Sequence, residues 1–321
     1  MTKKSGFIAI GFVIGFSINH LLSLLFLSKL QVQTRQFKNN TSGSVLLSND
    51  KRELCQRKYI LLTTQKSGST WFCDVLDQQS EISCGGRPSS LGTPQSELVI
   101  FYSKLTNSGK IGDVTWQQYQ NDLDKAFAEV CEYNPAMSIG FKVMYDQIPP
   151  QFIEDKRLQT YFKDNGVNLI HLVREAKILK IASGYGVMER GGVHHTTNSS
   201  AIQETSSLQW NEQIITNMLK LEKKSIEWQN TIHMMTPFVP NYYVSYENIL
   251  GEQKRKQLVA QIVSFVSGNF HPNVQAVEGN LLKQSNSSCS ARIANYSEFR
   301  AHKKVIDSRS AAACDLIDMI I

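Results

Sequence analysis

The chain has 321 residues, of which 41% are hydrophobic and 19% charged, and its formal net charge is +6. That length and apolar content suit one large globular domain, or two small ones, with an adequate core. The basic residues are scattered and never form a run with interleaved aromatics, which argues against a nucleic-acid partner and favours an anionic cofactor or substrate. No internal repeat or low-complexity tract is visible.

In chain order, a short tail (residues 1–5, including Lys3 and Lys4) precedes residues 6–27, a run without Asp, Glu, Lys or Arg. A helix of about 20 residues crosses the roughly 30 Å hydrocarbon core of a bilayer, so an uncleaved membrane anchor is expected there. The competing reading is a cleaved leader, but no convincing small-x-small site follows the run. Lys3 and Lys4 would stay in the cytosol, although Lys29, Arg35 and Lys38 on the far side pull against that orientation. Residues 28–50 are polar and read as a flexible stem, leaving residues 51–321 as the folded domain.

Asn39 and Asn40 head two overlapping glycosylation sequons, and Asn198, Asn286 and Asn295 head others, which fits a luminal domain. The cysteines are Cys55, Cys73, Cys84, Cys131, Cys289 and Cys314. They permit disulfides in a luminal setting but lack paired spacing for zinc. Cys73 is expected to be a small core residue; the pairing of the others is open.

The stretch Tyr59 to Leu76 reads as a short apolar strand, a small polar turn and a helix whose apolar positions are Trp71, Val75 and Leu76. Ser67, Gly68, Ser69 and Thr70 let the backbone approach an anion closely. The first helical turn adds unpaired N–H groups and the positive end of the helix dipole. Lys66 contributes a mobile full charge. This differs from the Walker pattern, in which the lysine follows the second glycine, because Lys66 precedes the only glycine of the turn.

The segment Glu81 to Thr93 is turn-rich. Trp116 to Glu132 reads as a helix, Ser138 to Met144 as a strand, Gln151 to Lys163 as helical, and Val167 to Val173 and Asn241 to Ser245 as further strands. Strands alternating with helices, without hairpin signals, predict a three-layer α/β domain: a mostly parallel sheet covered by helices on both faces. Ligands on such sheets bind at the carboxyl ends of the strands, where the anion loop falls. Arg174 leaves the Val167 to Val173 strand as a helix begins, and Ser183 lies further along that helix, so both are placed to reach one anion.

The run Gln65-Lys-Ser-Gly-Ser-Thr-Trp71 resembles the 5′-phosphosulfate loop of the sulfotransferases, with Gln65 in place of their usual proline. Arg174 and Ser183 resemble that family's 3′-phosphate site. The strand Gly140 to Met144 and the segment Val244 to Leu250 resemble family elements in the expected order, and Lys283 and Arg292 resemble contacts of its nucleotide-closing loop. The resemblance spans about Tyr59 to Tyr296.

It implies a P-loop NTPase-like sulfotransferase fold and transfer of a sulfuryl group from 3′-phosphoadenosine 5′-phosphosulfate to a hydroxyl or amine, with a carbohydrate or glycoconjugate acceptor and no metal. Donor contacts would come from Lys66, Ser67, Gly68, Ser69, Thr70, Trp71, Arg174, Ser183 and Lys283. Lys66 would also act on the reacting group. The family members so anchored are single-pass type II proteins of the Golgi membrane with a luminal catalytic domain.

The glycolipid-type enzymes place a glutamate after the anion-loop helix, but Gly86 to Ser90 has no carboxylate there. Attention moves to Gly191-Gly-Val-His-His195, in which His195 matches a Gly-Val-x-His pattern of related enzymes and suits a general base. Asp146 is the next candidate. Two other functions stay open: a nucleotide-dependent kinase or NTPase of related fold, and a membrane-anchored protein that binds the nucleotide without turnover.

Overall fold

The computed structural model describes residues 54–85, 114–189, 207–235, 239–270, 272–274 and 288–320. The expected anchor, the stem, residues 86–93 of the turn-rich segment, His195 and Lys283 lie outside them. In chain order the elements are β1 (Arg57–Thr63), α1 (Ser69–Asp77), β2 (Ile82–Cys84), α2 (Trp116–Tyr133) and β3 (Ser138–Met144). Then come α3 (Pro150–Glu154), α4 (Arg157–Asp164), β4 (Val167–Val173), α5 (Lys177–Glu189), β5 (Leu208–Gln209) and α6 (Glu212–Met235). The chain continues through β6 (Asn241–Ser245), α7 (Glu252–Ser267), α8 (Cys289–Arg292), β7 (Ile293–Ala294), α9 (Tyr296–Ala301), α10 (Lys303–Ile306) and α11 (Arg309–Ile320).

Five strands form one sheet in the order β2-β3-β1-β4-β6, and every pairing is parallel. β1 is central, with Ile60 opposite Phe141 on one side and Leu169 on the other. Its apolar run is continuous because both faces are covered, as parallel sheets require. Alternate residues feed different cores: Ile60 and Leu62 pack with Phe127, Val143 and Phe162, while Tyr59 and Leu61 pack with Phe72, Leu76 and Val263. A third cluster joins α5 and α6 to the C-terminal helices through Ile178, Met218, Phe299 and Ile317.

Local chemistry sets the boundaries. Thr115 starts α2 with a reciprocal capping box to Gln118. The helical stretch expected over Gln151 to Lys163 breaks in two at Lys156, whose φ of 62° is left-handed. Asp155 Oδ1 restarts it by accepting the Arg157 amide at 3.1 Å. At Gly140 a Cβ would come within 2.6 Å of the Tyr59 ring, so glycine lets that ring lie across the neighbouring strand while its hydroxyl donates to the Ser83 carbonyl at 2.9 Å.

Two expectations need correction. Residues Ile82–Cys84, expected within the turn-rich segment, form an edge strand in register with Ser138–Gly140. Cys73 does lie in the core but is bonded to Cys84 there, and the other disulfides are Cys55–Cys131 and Cys289–Cys314. The Cys73–Cys84 bond ties the helix after the anion loop to that edge strand.

Candidate functional site

The strand order fixes where a ligand would sit. From β1 the chain passes toward β2 on one side of the sheet, and from β4 it passes toward β6 on the other. The two connections therefore diverge at the carboxyl ends of adjacent strands and leave a crevice between them. The loop Thr64 to Gly68 leaves β1 into that crevice, and Arg174 leaves β4 into it from the other side.

The loop is built to present backbone N–H groups. Lys66 and Gly68 take left-handed conformations with φ of 58° and 81°, and α1 follows directly. Gly68 is the N-cap and supplies no capping side chain, and no acidic residue stands in the first turn. The first helical bond runs from Phe72 N to Gly68 O at 3.0 Å, so the amides of Ser69, Thr70 and Trp71 have no partner within the helix. Such a turn and helix end offer amides and positive dipole to an anion. Ser67 is fully buried and its hydroxyl is engaged with Thr63, whose own hydroxyl donates to the Leu172 carbonyl at 3.1 Å. That bond stitches the end of β1 to β4 just below the crevice.

Arg174 meets the loop directly: its Nη1 donates to the Lys66 carbonyl at 3.2 Å. Its guanidinium stands over the Tyr246 ring with Cζ 4.8 Å from the centroid, and its buried Nε has no hydrogen-bond partner among the described residues. Trp71 contributes to the loop through its backbone, since its side chain is buried in the second core against Arg255, 5.4 Å from the ring centroid. Ser183 is half-buried on α5, roughly 9 Å further along the helix axis than Lys177 at 1.5 Å per residue. Arg292 is buried beside it, with Nη2 3.4 Å from the Ala182 carbonyl.

The N-terminus of α5 is closed in a way that α1 is not. The buried Glu247 carboxylate accepts the amides of Glu175 at 3.1 Å and Ala176 at 3.0 Å, and the Ser310 hydroxyl accepts that of Ile178 at 3.1 Å. A carboxylate of this chain thus takes the place an external anion would occupy. Of the two helix ends at the crevice, α1 alone is left open by the described residues.

Sequence reasoning missed three lysines here. Lys142, buried in β3, donates to Thr70 Oγ1 at 2.8 Å. Lys180 donates to Thr64 Oγ1 at 2.6 Å, and Lys177 donates to the Arg174 carbonyl. Burial pushes Lys177 below the ordinary lysine range. Burial, with the charges of Lys177 and Arg174 adding to it, brings Lys180 down to about 7. The signals were present: a lysine inside an otherwise apolar strand, and Lys177, Lys180 and Ser183 at intervals of three along one stripe of α5. Asp146, exposed in the turn after β3, is the carboxylate whose charge acts on Lys180.

No protein-family model matches the chain, and no curated protein matches it. Among the described residues no cluster of His, Cys, Asp and Glu has the geometry of a metal site, and no helix is long and apolar enough to cross a membrane. The fold is that of an α/β protein with a parallel sheet, and the candidate site is the open helix end at the divergence of β1 and β4.

Proposed function

We propose that the protein transfers a sulfuryl group from 3′-phosphoadenosine 5′-phosphosulfate to a hydroxyl or amine of a carbohydrate or glycoconjugate, on the luminal side of a Golgi membrane. The observation that carries this reading is the open N-terminus of α1, capped only by Gly68, facing an arginine whose Nε is buried without a partner among the described residues. The order Lys-Ser-Gly-Ser-Thr, with the lysine ahead of the glycine, favours a phosphosulfate over the Walker arrangement.

Sulfuryl transfer, like phosphoryl transfer, leaves the protein little covalent work, so position and charge dominate. The amides of Ser67 to Thr70 and the Lys66 ammonium would hold the 5′-phosphosulfate, and Lys66 would take up charge on the bridging oxygen as the nucleotide leaves. Arg174 and Ser183 would bind the 3′-phosphate. His195, outside the described residues, is the base that the sequence pattern proposes, and Asp146 is the described alternative.

The test is to incubate the full-length protein in detergent with sulfur-labelled donor and a panel of glycans, beside arms containing ATP with magnesium. Label on a glycan supports the proposal. Phosphate transfer from ATP in its place would establish the kinase reading, and nucleotide binding without any turnover would establish a binding protein.

A further inference from the structure

Lys180 occupies an unusual place. It is nine-tenths buried, its Nζ reaches back across 116 residues to Thr64 at the start of the anion loop, and Arg174 and Lys177 lie on the same side of the crevice. The groups that face it are Thr64 from the loop, Arg174 and Lys177 from its own helix and the residues before it, and Asp146 from the turn after β3. The nearest further carboxylates, Glu175, Glu222 and Glu247, act on Lys177. Those of Glu222 and Glu247 are already engaged, with the amides of Ser310 and of Glu175 and Ala176.

We propose that Lys180 is a third cationic arm of the anion site and that it gains a proton when the anion enters. Three basic side chains crowded beside one loop repel each other; Lys177 is the more buried but has the carboxylates of Glu175, Glu222 and Glu247 acting on it, whereas Lys180 has only that of Asp146, so Lys180 sheds its charge most easily while the site is empty. A divalent anion on the α1 amides reverses that balance and restores the ammonium. The contact with Thr64 holds in both states, because a neutral amine still donates a hydrogen bond. Burial and the charges of Lys177 and Arg174 together already bring Lys180 down to about 7. Anion binding is therefore coupled to proton uptake across the pH range of the secretory pathway. This rests on the anion-site reading above and extends it to regulation by luminal pH.

Inorganic sulfate is the probe, since it has no proton to gain between pH 6 and 9. Titration calorimetry of the full-length protein with sulfate, in buffers of different ionisation enthalpy, reads both affinity and protons taken up. The expected result is a sulfate affinity that falls from pH 6.5 to 8.5, by at most about tenfold per pH unit, with up to one proton taken up. Lys180→Gln should remove most of that slope and weaken binding chiefly at the acidic end. Lys180→Arg, which keeps its charge throughout, should bind tightly at the acidic end and show little pH dependence. Equal slopes in the wild type and Lys180→Gln, or binding without proton uptake, overturn the role of Lys180 and leave the anion site standing. Absence of any sulfate or nucleotide binding by the wild type sinks both.

Discussion

The ring of Tyr246 fills the space that a side chain on Gly68 would need: a Cβ there would lie 2.2 Å from the ring. The same ring carries the Arg174 guanidinium on its face. One aromatic residue from the end of β6 therefore sets both walls of the crevice, the loop after β1 and the arginine after β4. Its burial and its place beside Glu247, which holds the start of α5, make the turn after β6 the support of the site.

Gly68→Ala should abolish measurable donor binding. The residue must keep a left-handed φ that costs a non-glycine residue roughly 1–2 kcal/mol, and the methyl must displace a packed ring as well. Circular dichroism should show a folded protein, and calorimetry with the desulfated nucleotide should show the loss. Wild-type affinity in a folded Gly68→Ala protein would mean that the loop is not where the anion binds.

Arg174→Ala should weaken nucleotide binding about tenfold or more, because a hydrogen bond to a charged group is worth roughly 1.5–3 kcal/mol. Part of the loss should persist with an analogue that lacks the 3′-phosphate, since Arg174 also holds the Lys66 carbonyl. The loss with the full nucleotide should still be clearly the larger. Equal losses with both ligands would confine Arg174 to supporting the loop.

Glu247→Gln should lower thermal stability by several degrees. The carboxylate takes two backbone amides and the Ser245 hydroxyl while buried, and the substituted amide offers an N–H where an acceptor is needed. A loss of about 1–3 kcal/mol corresponds to roughly 2–4 °C per kcal/mol for a domain of this size. A melting temperature unchanged by the substitution would show that the start of α5 does not depend on this residue.

Asp77 should make stability depend on pH. Burial raises its pKa to about 7, with the amide of Cys84, 2.5 Å from Oδ1, opposing and the charge of Asp74 adding. A raised carboxylate binds its proton more tightly folded than unfolded, so its stabilisation is full below the ordinary aspartate range and is lost as pH rises through about 7. Thermal melts from pH 5 to 8 should show a smaller decline for Asp77→Asn than for the wild type, and parallel curves would refute the assignment.

Much of the scaffold was legible locally. The strands Ser138–Met144, Val167–Val173 and Asn241–Ser245 were read with the bounds they have, because each is a short run dominated by apolar, β-branched or aromatic residues between turn signals. β2 was not, since Ile82, Ser83 and Cys84 are too few to show a period and become a strand only by pairing with Ser138–Gly140. Trp71 was read as a donor contact, yet its indole belongs to the core behind the loop. Glu247 was read only as part of a segment, and its purpose is plain once the amides it accepts are known.

What the sequence determined by itself was the local chemistry: small residues beside Lys66, a glycine where the backbone turns left-handed, an arginine at a strand end. Those features depend on neighbours within a few residues. The tertiary structure decided which side chains share the crevice, bringing Lys142 to Thr70 across 72 residues and Lys180 to Thr64 across 116. It also decided that Cys73 pairs with Cys84 and that α1, not α5, keeps its amides open. The reason lies in the strand order: a parallel sheet places adjacent strand ends from remote parts of the chain, and no pattern confined to one segment encodes which ends those are.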